Sequence, residues 1–316
     1  MEVLSRSALV SVGVIAYNSS TTVIRTLDSI AAQTYSNLEL IISDDHSTDD
    51  TVKICRQWVS LNKDRFSNIR IIERERNGGV SKNLNTVISA ANGIWIKTIA
   101  ADDILLPNCI TDNITFITKE ISANVVFSKA RVVYESDGSI INTDTFLPEE
   151  SCKTCFDKTA EEQYNTLLLY NFAPAISAFW RSSFAVSHPF SNKYPFCEDL
   201  PQWLNLTALG EKLYYFDTET VLYRRGDSLT NANSLSFVNQ KFFDSYKAVF
   251  FAEIYEPLKA LNPQRAERVK KEFLIGEIAV VLLHNRRNVF TRGILLLFKI
   301  LLGVRFIHFL DPMSVR

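Results

Sequence analysis

Leu9-Val-Ser-Val-Gly-Val-Ile-Ala16 is β-branched and nearly all apolar, the pattern of a strand buried on both faces. Directly after it, Val23, Leu27, Ile30 and Ala31 share one face of a helical repeat. The alternation then recurs. Leu38 to Ile42 reads as a second strand, followed by an acidic loop from Ser43 to Asp50. Ser47 is the expected N-cap of the next helix, which carries Val52, Cys55 and Val59, with Asp49 and Asp50 suited to its positive end. Ile69 to Ile72 is a third strand. Asn77-Gly78-Gly79 is a turn, and a helix through Leu84, Val87 and Ile88 follows. Ile94 to Ile99 is a fourth strand that runs into Ala100-Ala101-Asp102-Asp103. Strands separated by helices at this spacing predict an α/β fold with a parallel sheet of βαβ units. Ligands of such sheets bind beyond the carboxyl ends of the strands. Asp44-Asp45 and Asp102-Asp103 both sit at strand ends, so both are expected to face one crevice.

The pattern changes after residue 123. Val125 to Tyr134 and Ser139 to Ile141 flank Asp137-Gly138, a hairpin signal. Thr159 to Tyr170 reads as helix and Ala175 to Trp180 as extended chain. From about residue 235 the sequence is helical, including Glu272 to Leu283 and Ile294 to Val304. These changes suggest three segments, 1–123, 124–234 and 235–316. With no internal repeat and no low-complexity linker between them, they are expected to pack as one body.

Composition excludes several classes. Of the 316 residues, 34 are Lys or Arg and 35 are Asp or Glu, so no basic excess argues for a nucleic-acid partner. Met1 to Ala8 is polar and carries both signs of charge, unlike a secretory leader. Five scattered cysteines fit a reducing cytoplasm better than a disulfide framework. Cys152-Lys-Thr-Cys155 has half the spacing of a zinc site, but no second ligand pair follows, and loop thiols are the plainer reading. A dinucleotide-dependent oxidoreductase would carry Gly-x-Gly-x-x-Gly after the first strand, where Ala16-Tyr17-Asn18-Ser19-Ser20 stands instead. The four histidines (46, 188, 284 and 308) show no ligand spacing.

The chemistry resides in paired carboxylates. Asp44-Asp45, Asp102-Asp103 and Glu198-Asp199 each end an apolar segment. Adjacent carboxylates repel unless a positive group stands between them and the substrate. A hard divalent cation, Mg2+ or Mn2+, bound together with phosphate oxygens does this. Taken alone, Asp102-Asp103 reads equally well as a solvated turn before Ile104-Leu105-Leu106-Pro107.

Several ordered motifs decide between the two. Val10-Ser-Val-Gly-Val-Ile-Ala-Tyr-Asn18, Leu27-Asp-Ser-Ile30, Gln33-Thr34-Tyr35 and Asp44-Asp-His-Ser-Thr-Asp49 with Thr51 resemble the opening of family 2 glycosyltransferases. Asn77-Gly78-Gly79-Val80-Ser81 with Asn85, Asp102-Asp103 with Pro107, Glu198-Asp199, and Leu222-Tyr223-Arg224-Arg225 match in the same order. The resemblance is dense from 8 to 110, sparser to about 230, and absent beyond. It implies the GT-A fold, a Rossmann-like and mainly parallel mixed sheet flanked by helices, here with a C-terminal helical region. Residues 1–123 would bind the nucleotide-sugar, 124–234 the acceptor, and 235–316 would form that helical region. The implied enzyme is a metal-dependent, inverting hexosyltransferase using a UDP-sugar and Mn2+ or Mg2+.

The resemblance also assigns roles by position. Ala16, Tyr17 and Asn18 would lie against the nucleotide, and Asp45 would accept the uracil imide hydrogen. Asn77, Gly78 and Gly79 would let the backbone approach it, although a plain tight turn also accounts for the glycines. Asp102 would meet the ribose or the metal, and Asp103 the metal. Asp199 would be the base that deprotonates the acceptor hydroxyl, with Glu198 beside it. Both also suit the N-terminal turn of a helix from Leu200 to Leu209. Arg225 is the candidate clamp on the diphosphate. The chain departs from the family twice. Ala100 stands where many relatives have the first Asp of Asp-x-Asp-Asp. Leu84 stands where Arg often precedes the Asn matched by Asn85, with Lys82 as a substitute charge.

Between Arg292 and Arg305 the tail is too short and interrupted for a membrane span of about 20 residues. A basic, apolar helix there suits either a membrane interface or packing against the core or a second subunit. With the interface reading, a polyprenyl-diphosphate-linked glycan in surface-polysaccharide synthesis becomes the expected acceptor. The site of action would be the cytoplasm, at the inner face of the cell membrane. The rival readings are a sugar nucleotidyltransferase and a non-catalytic nucleotide-sugar-binding protein of the same fold, the latter favoured by Ala100.

Overall fold

A computed structural model of the chain describes residues 8–136, 138–225 and 236–303. Its first part alternates as expected: β1 (Val10–Ala16), α1 (Val23–Ala31), β2 (Leu38–Asp44), α2 (Thr51–Asn62), β3 (Asn68–Glu73), α3 (Val80–Ala90) and β4 (Trp95–Ala100). The short β5 (Ile104–Leu105) and α4 (Cys109–Ile117) follow. Next come β6 (Val125–Ser136), β7 (Ser139–Leu147), α5 (Ala160–Leu167), β8 (Phe179–Arg181), α6 (Ser182–Ser187), α7 (Asp199–Ala208) and β9 (Tyr214–Arg224). The last helices are α8 (Gln240–Val249), α9 (Tyr255–Leu261), α10 (Pro263–Glu277) and α11 (Val289–Leu302).

One sheet holds the nine strands of the described residues, in the order β3-β2-β1-β4-β8-β6-β9-β5, with β7 paired to β6. The pairs β3-β2, β2-β1 and β1-β4 are parallel. Beyond β4 the sheet is mixed: β8 runs antiparallel to β4 and to β6, while β6 and β9 are parallel. The order reverses between β1 and β4, where Ile15 lies beside Ala100. Crossovers leave such a point in opposite directions and open a crevice at the strands' carboxyl ends.

Strand alternation divides the apolar residues between two cores. Leu40, Ile42, Trp95, Ile99 and Val126 face α1, α2 and α4, while Ile41, Ile96, Val125 and Phe127 face the other way. The second core takes in α3, α5, α7 and the C-terminal helices, through Trp203, Phe250, Phe273 and Leu295. Each fully buried Val, Leu or Ile contributes roughly 1.5–3 kcal/mol of transfer free energy, offset by ordering the chain.

Some local expectations are corrected. Ser47 does not cap α2, whose N-cap residue is Asp50, and instead both its N–H and Oγ donate to Asp44. Ala175–Ser177 forms a 3-10 turn rather than extended chain, and only Phe179–Arg181 joins the sheet. The helix expected from Glu272 to Leu283 ends as α10 at Glu277 and continues as one wide π turn, Ile278–Leu282. The hairpin of β6 and β7 forms, while Asp137 lies outside the described residues, as do Val304 and His308. Cys155 is buried with its thiol 3.3 Å from the Tyr170 hydroxyl, and Cys152 is half-buried.

Candidate active site

Three backbone ties hold the end of β4. Ala101 N–H donates to Ile15 O at 3.0 Å, while the Thr22 and Thr26 hydroxyls on one face of α1 donate to Ala101 O and Asp103 O. Asp102 and Asp103 thus project from a pinned turn at the reversal point. The Asp103 carboxylate is buried and accepts the Arg224 N–H at Oδ1, 2.9 Å away. Burial and the neighbouring Asp102 charge hold it well above the usual carboxylate range. Asp102, with its side chain 41% exposed, is also raised by desolvation, against the pull of Arg224, whose guanidinium lies 3.9 Å away. Behind them the buried Lys97 donates from Nζ to Ile176 O (2.6 Å) and Ala178 O (3.3 Å). Burial draws its pKa down to about 8, against the opposing fields of Cys109 and Asp103.

The nucleotide-side candidates form a knot of loops. Asp45 is buried, and its two oxygens accept the N–H groups of Gly78 (2.9 Å) and Gly79 (2.7 Å), with Arg74 Nε at 3.3 Å. A Cβ on Gly78 would meet Arg74 Nη2 at 2.5 Å, and Gly79 has φ +83° with Pro195 against it. The left-handed backbone therefore favours glycine at Gly79, while a side chain at Gly78 would have to displace the Arg74 and Lys82 side chains. Asn77 Oδ1 accepts the Gly79 N–H at 3.2 Å. Asn18 Oδ1 accepts the Thr48 N–H and its own N–H donates to Ser47 Oγ, tying the loop after β1 to the acidic loop. Beside the buried Ala16, the Tyr17 ring stays 42% exposed. His46, at φ 66°, sits 3.3 Å from Arg74 O. Lys82 stacks its stem against Gly78 and lines a groove with Arg74, Asn85 and Asn192, outside the acid crevice. Leu84 is buried in the core.

Glu198 and Asp199 open α7. Trp203 of that helix is buried, donates its indole N–H to Ala173 O, and stacks on Trp180. Asp199 Oδ1 accepts the Leu200 N–H at 2.7 Å, and Oδ2 accepts Asn171 Nδ2 at 2.7 Å. Burial raises Asp199 in spite of those bonds, and burial plus the Asp199 charge pushes Glu198 up to about 7. The Tyr223 phenol is raised by burial and by the fields of Asp103, Asp102 and Asp199, against the pull of Arg225.

Sequence reasoning missed several of these parts. Asn171 orients Asp199. Asn85, quoted only as a motif residue, clasps Phe190 with its amide: Oδ1 accepts the Phe190 N–H and Nδ2 donates to Phe190 O, both at 2.9 Å. Tyr194 bonds Glu253 at 2.7 Å and the Phe196 N–H reaches Ser245 Oγ, so the C-terminal helices brace the loop before Glu198. Arg224 approaches Asp102 and reaches Glu135, which also pairs with Arg25, whereas the Arg225 side chain is exposed and its N–H donates to Val133 O. The only signal for Lys97 was a lone lysine inside an apolar strand.

The turn after β4 offers carboxylate oxygens, the kind of donor that a hard divalent cation takes. Among the described residues no cluster of three His, Cys, Asp or Glu could hold one, and with Ala100 in place only Asp102 and Asp103 offer oxygens. Asp103 Oδ2 is left by the Arg224 N–H, and Asp102 faces solvent. The raised carboxylates are those that a neighbouring cation would relax, with diphosphate oxygens and water supplying the remaining ligands.

Comparison with known proteins agrees with this architecture. A sequence model of Glycosyl transferase family 2 matches residues 11–185. The UDP-Glc:alpha-D-GlcNAc-diphosphoundecaprenol beta-1,3-glucosyltransferase WfaP of Escherichia coli is 30% identical over 227 residues, 71% of this chain and 80% of WfaP. The crystal structure of Staphylococcus aureus TarS 1-349 with UDP-GlcNAc superposes with a TM-score of 0.55 at 18% identity, covering 85% of this chain and 72% of that one. This chain spans 43% of the longer TarS chain. The crystal structure of GalNAc-T7 with UDP, GalNAc and Mn2+ gives a TM-score of 0.58 at 14% identity, covering 83% of this chain and 51% of that one. The mixed α/β sheet with its helical C-terminal region is thus the GT-A type of fold.

Proposed function

Because the chain belongs to glycosyltransferase family 2, we propose that it transfers a sugar, with inversion, from a UDP-sugar to a hydroxyl of a lipid-linked glycan. What supports this reading is a pair of acids at the end of β4, Asp102-Asp103, and a second pair at the start of α7, Glu198-Asp199, with the Tyr223 phenol raised by burial and by the fields of Asp103, Asp102 and Asp199. A lone nucleotide-binding site would need only one of them.

In this reading the segment 1–123 binds donor and 124–234 binds acceptor, while the described C-terminal helices, through Ser245 and Glu253, brace the loop before Glu198. Tyr17 stacks beside the nucleotide, and Asp45, already held by Gly78 and Gly79, has lone pairs left for a uracil imide. Asp102 takes the ribose or a metal and Asp103 the metal. Arg224, set against Asp102, joins Arg225 as a candidate for the diphosphate. Mn2+ or Mg2+ would offset the charge that develops on the departing diphosphate. Asp199, oriented by Asn171, removes the proton from the acceptor hydroxyl. The hydroxyl oxygen then bonds to the anomeric carbon as the bond from that carbon to the diphosphate breaks, releasing UDP from the opposite face. Position outweighs basicity here, because the base must reach the attacking oxygen within hydrogen-bond distance.

The relative WfaP, by its name, uses UDP-glucose and a diphosphoundecaprenol-linked acceptor. That likeness supports a polyprenyl-linked acceptor met at the inner face of the cell membrane. The test is release of UDP from a panel of UDP-sugars, with Mn2+ and with EDTA, in the presence of polyprenyl-diphosphate-linked acceptors. Acceptor-dependent UDP release that needs the metal is expected. Release of diphosphate from a sugar phosphate and UTP would assign a nucleotidyltransferase instead, and nucleotide binding without turnover on any pair would contradict catalysis.

A further inference from the structure

The last described helix buries one side in the protein and presents an apolar face to solvent. Its ends are fixed by a capping box between Asn288 and Thr291 and by Gly303 in the left-handed conformation. Thr291 and Leu295 form its buried stripe. The other side carries Val289, Phe290, Leu296, Leu297, Ile300 and Leu301, all 57–88% exposed. Val281 and Leu282, at the end of the preceding π turn, add to the exposed apolar surface. An amphipathic helix normally turns such a face inward.

Charge identifies what covers it. From Ile278 to Gly303 the sequence has no Asp or Glu, while Arg286, Arg287, Arg292 and Lys299 border the apolar face. Arg287, Arg292 and Lys299 line one groove with Phe237, Leu295 and Leu296. A two-fold pairing of this surface with itself would bring like charges to one seam. An anionic bilayer supplies the missing negative charge and the apolar layer together. The 14 residues of α11 extend only about 21 Å against a hydrocarbon core of about 30 Å. No helix of the described residues is long and apolar enough to cross a membrane.

We propose that α11, with Val281 and Leu282, lies in the headgroup–acyl boundary of an anionic membrane, its basic residues on the lipid phosphates. The proposal gives the lipid-linked acceptor reading its place of contact and rests on it for purpose alone. The test is sedimentation of the full chain with vesicles of phosphatidylcholine, with and without phosphatidylglycerol. Binding should rise about ten-fold or more with the anionic lipid and fall in high salt. The double variant Leu297→Asp/Ile300→Asp should lose binding to both vesicles. Arg287→Glu/Arg292→Glu should lose the preference for anionic lipid, and unchanged thermal melts would verify folding. Sedimentation with neither vesicle would overturn the proposal. So would a stable dimer that Leu297→Asp splits without any lipid binding. Vesicle binding by a protein inactive on every lipid-linked acceptor would sink the acceptor reading and leave this proposal standing.

Discussion

Asp103 is held from three sides: by the Thr26 hydroxyl on its carbonyl, by the Arg224 N–H on its carboxylate, and by the burial of its surroundings. The carboxylate pairs were legible in the sequence through the ordered motifs around them, since Asp102-Asp103 alone reads equally well as a solvated turn. Their neighbours were less so. Successive residues of a strand point to opposite faces, and β9 runs on through Arg224. Arg224 ends the strand and approaches Asp102, whereas Arg225 lies just beyond it with its side chain exposed, a difference that the adjacent pair of arginines does not show in sequence. Asp103→Asn should abolish the metal dependence of donor binding, read by UDP titration with and without Mn2+. An unchanged Mn2+ effect would remove Asp103 from the metal site. Glu198, pushed up to about 7 by burial and by Asp199, binds its proton more tightly in the folded chain than in the unfolded one. Its contribution to stability is therefore full below the ordinary carboxylate range and is lost as pH rises through about 7. Glu198→Gln should melt at a higher temperature than wild type at pH 8, with the difference shrinking as pH falls through about 7 and closing below the ordinary carboxylate range. Burial also raises Asp199 above the ordinary aspartate range, so transfer should begin to fall at a higher pH than a free aspartate would set.

Elements supply the precision of the site. The Asn77-Gly78-Gly79 turn was readable as a close approach, yet its partners, Asp45 on one side and Pro195 on the other, are set by tertiary packing. Asn85 was visible as a motif residue, but its clasp on Phe190 spans 105 positions, beyond any local pattern. The 3-10 turn at Ala175–Ser177 has the apolar character of a strand. There the carbonyls of Ile176 and Ala178 receive the Lys97 ammonium, which no periodicity reveals. Asn85→Ala should cost about 1–3 kcal/mol in urea unfolding, because two backbone groups of Phe190 lose their partner. It should also raise the acceptor KM more than the donor KM, since the loop it anchors leads to Glu198. Equal changes in both would place the loop's influence elsewhere.

For the whole molecule, strand–helix alternation in the first hundred residues was enough to foretell the parallel strands β3, β2, β1 and β4, and sheets of this kind bind ligands at their carboxyl ends. The expected acceptor half lies in the same sheet, joined through β4 and β8. The C-terminal helices share a core with α3 and α7, and reach the loop before Glu198 through Glu253 and Ser245. That contact was hidden because the sequence beyond residue 235 carries helical periodicity but no motif. In the proposed mechanism one side of the site holds the donor while Asp199, on the other, takes the acceptor's proton. The most direct measurement compares donor affinity and acceptor-dependent UDP release in wild type and Asp199→Asn. An unchanged donor Kd with transfer reduced about 10²–10⁴-fold is expected; near-normal turnover in the variant would disqualify Asp199 as the base.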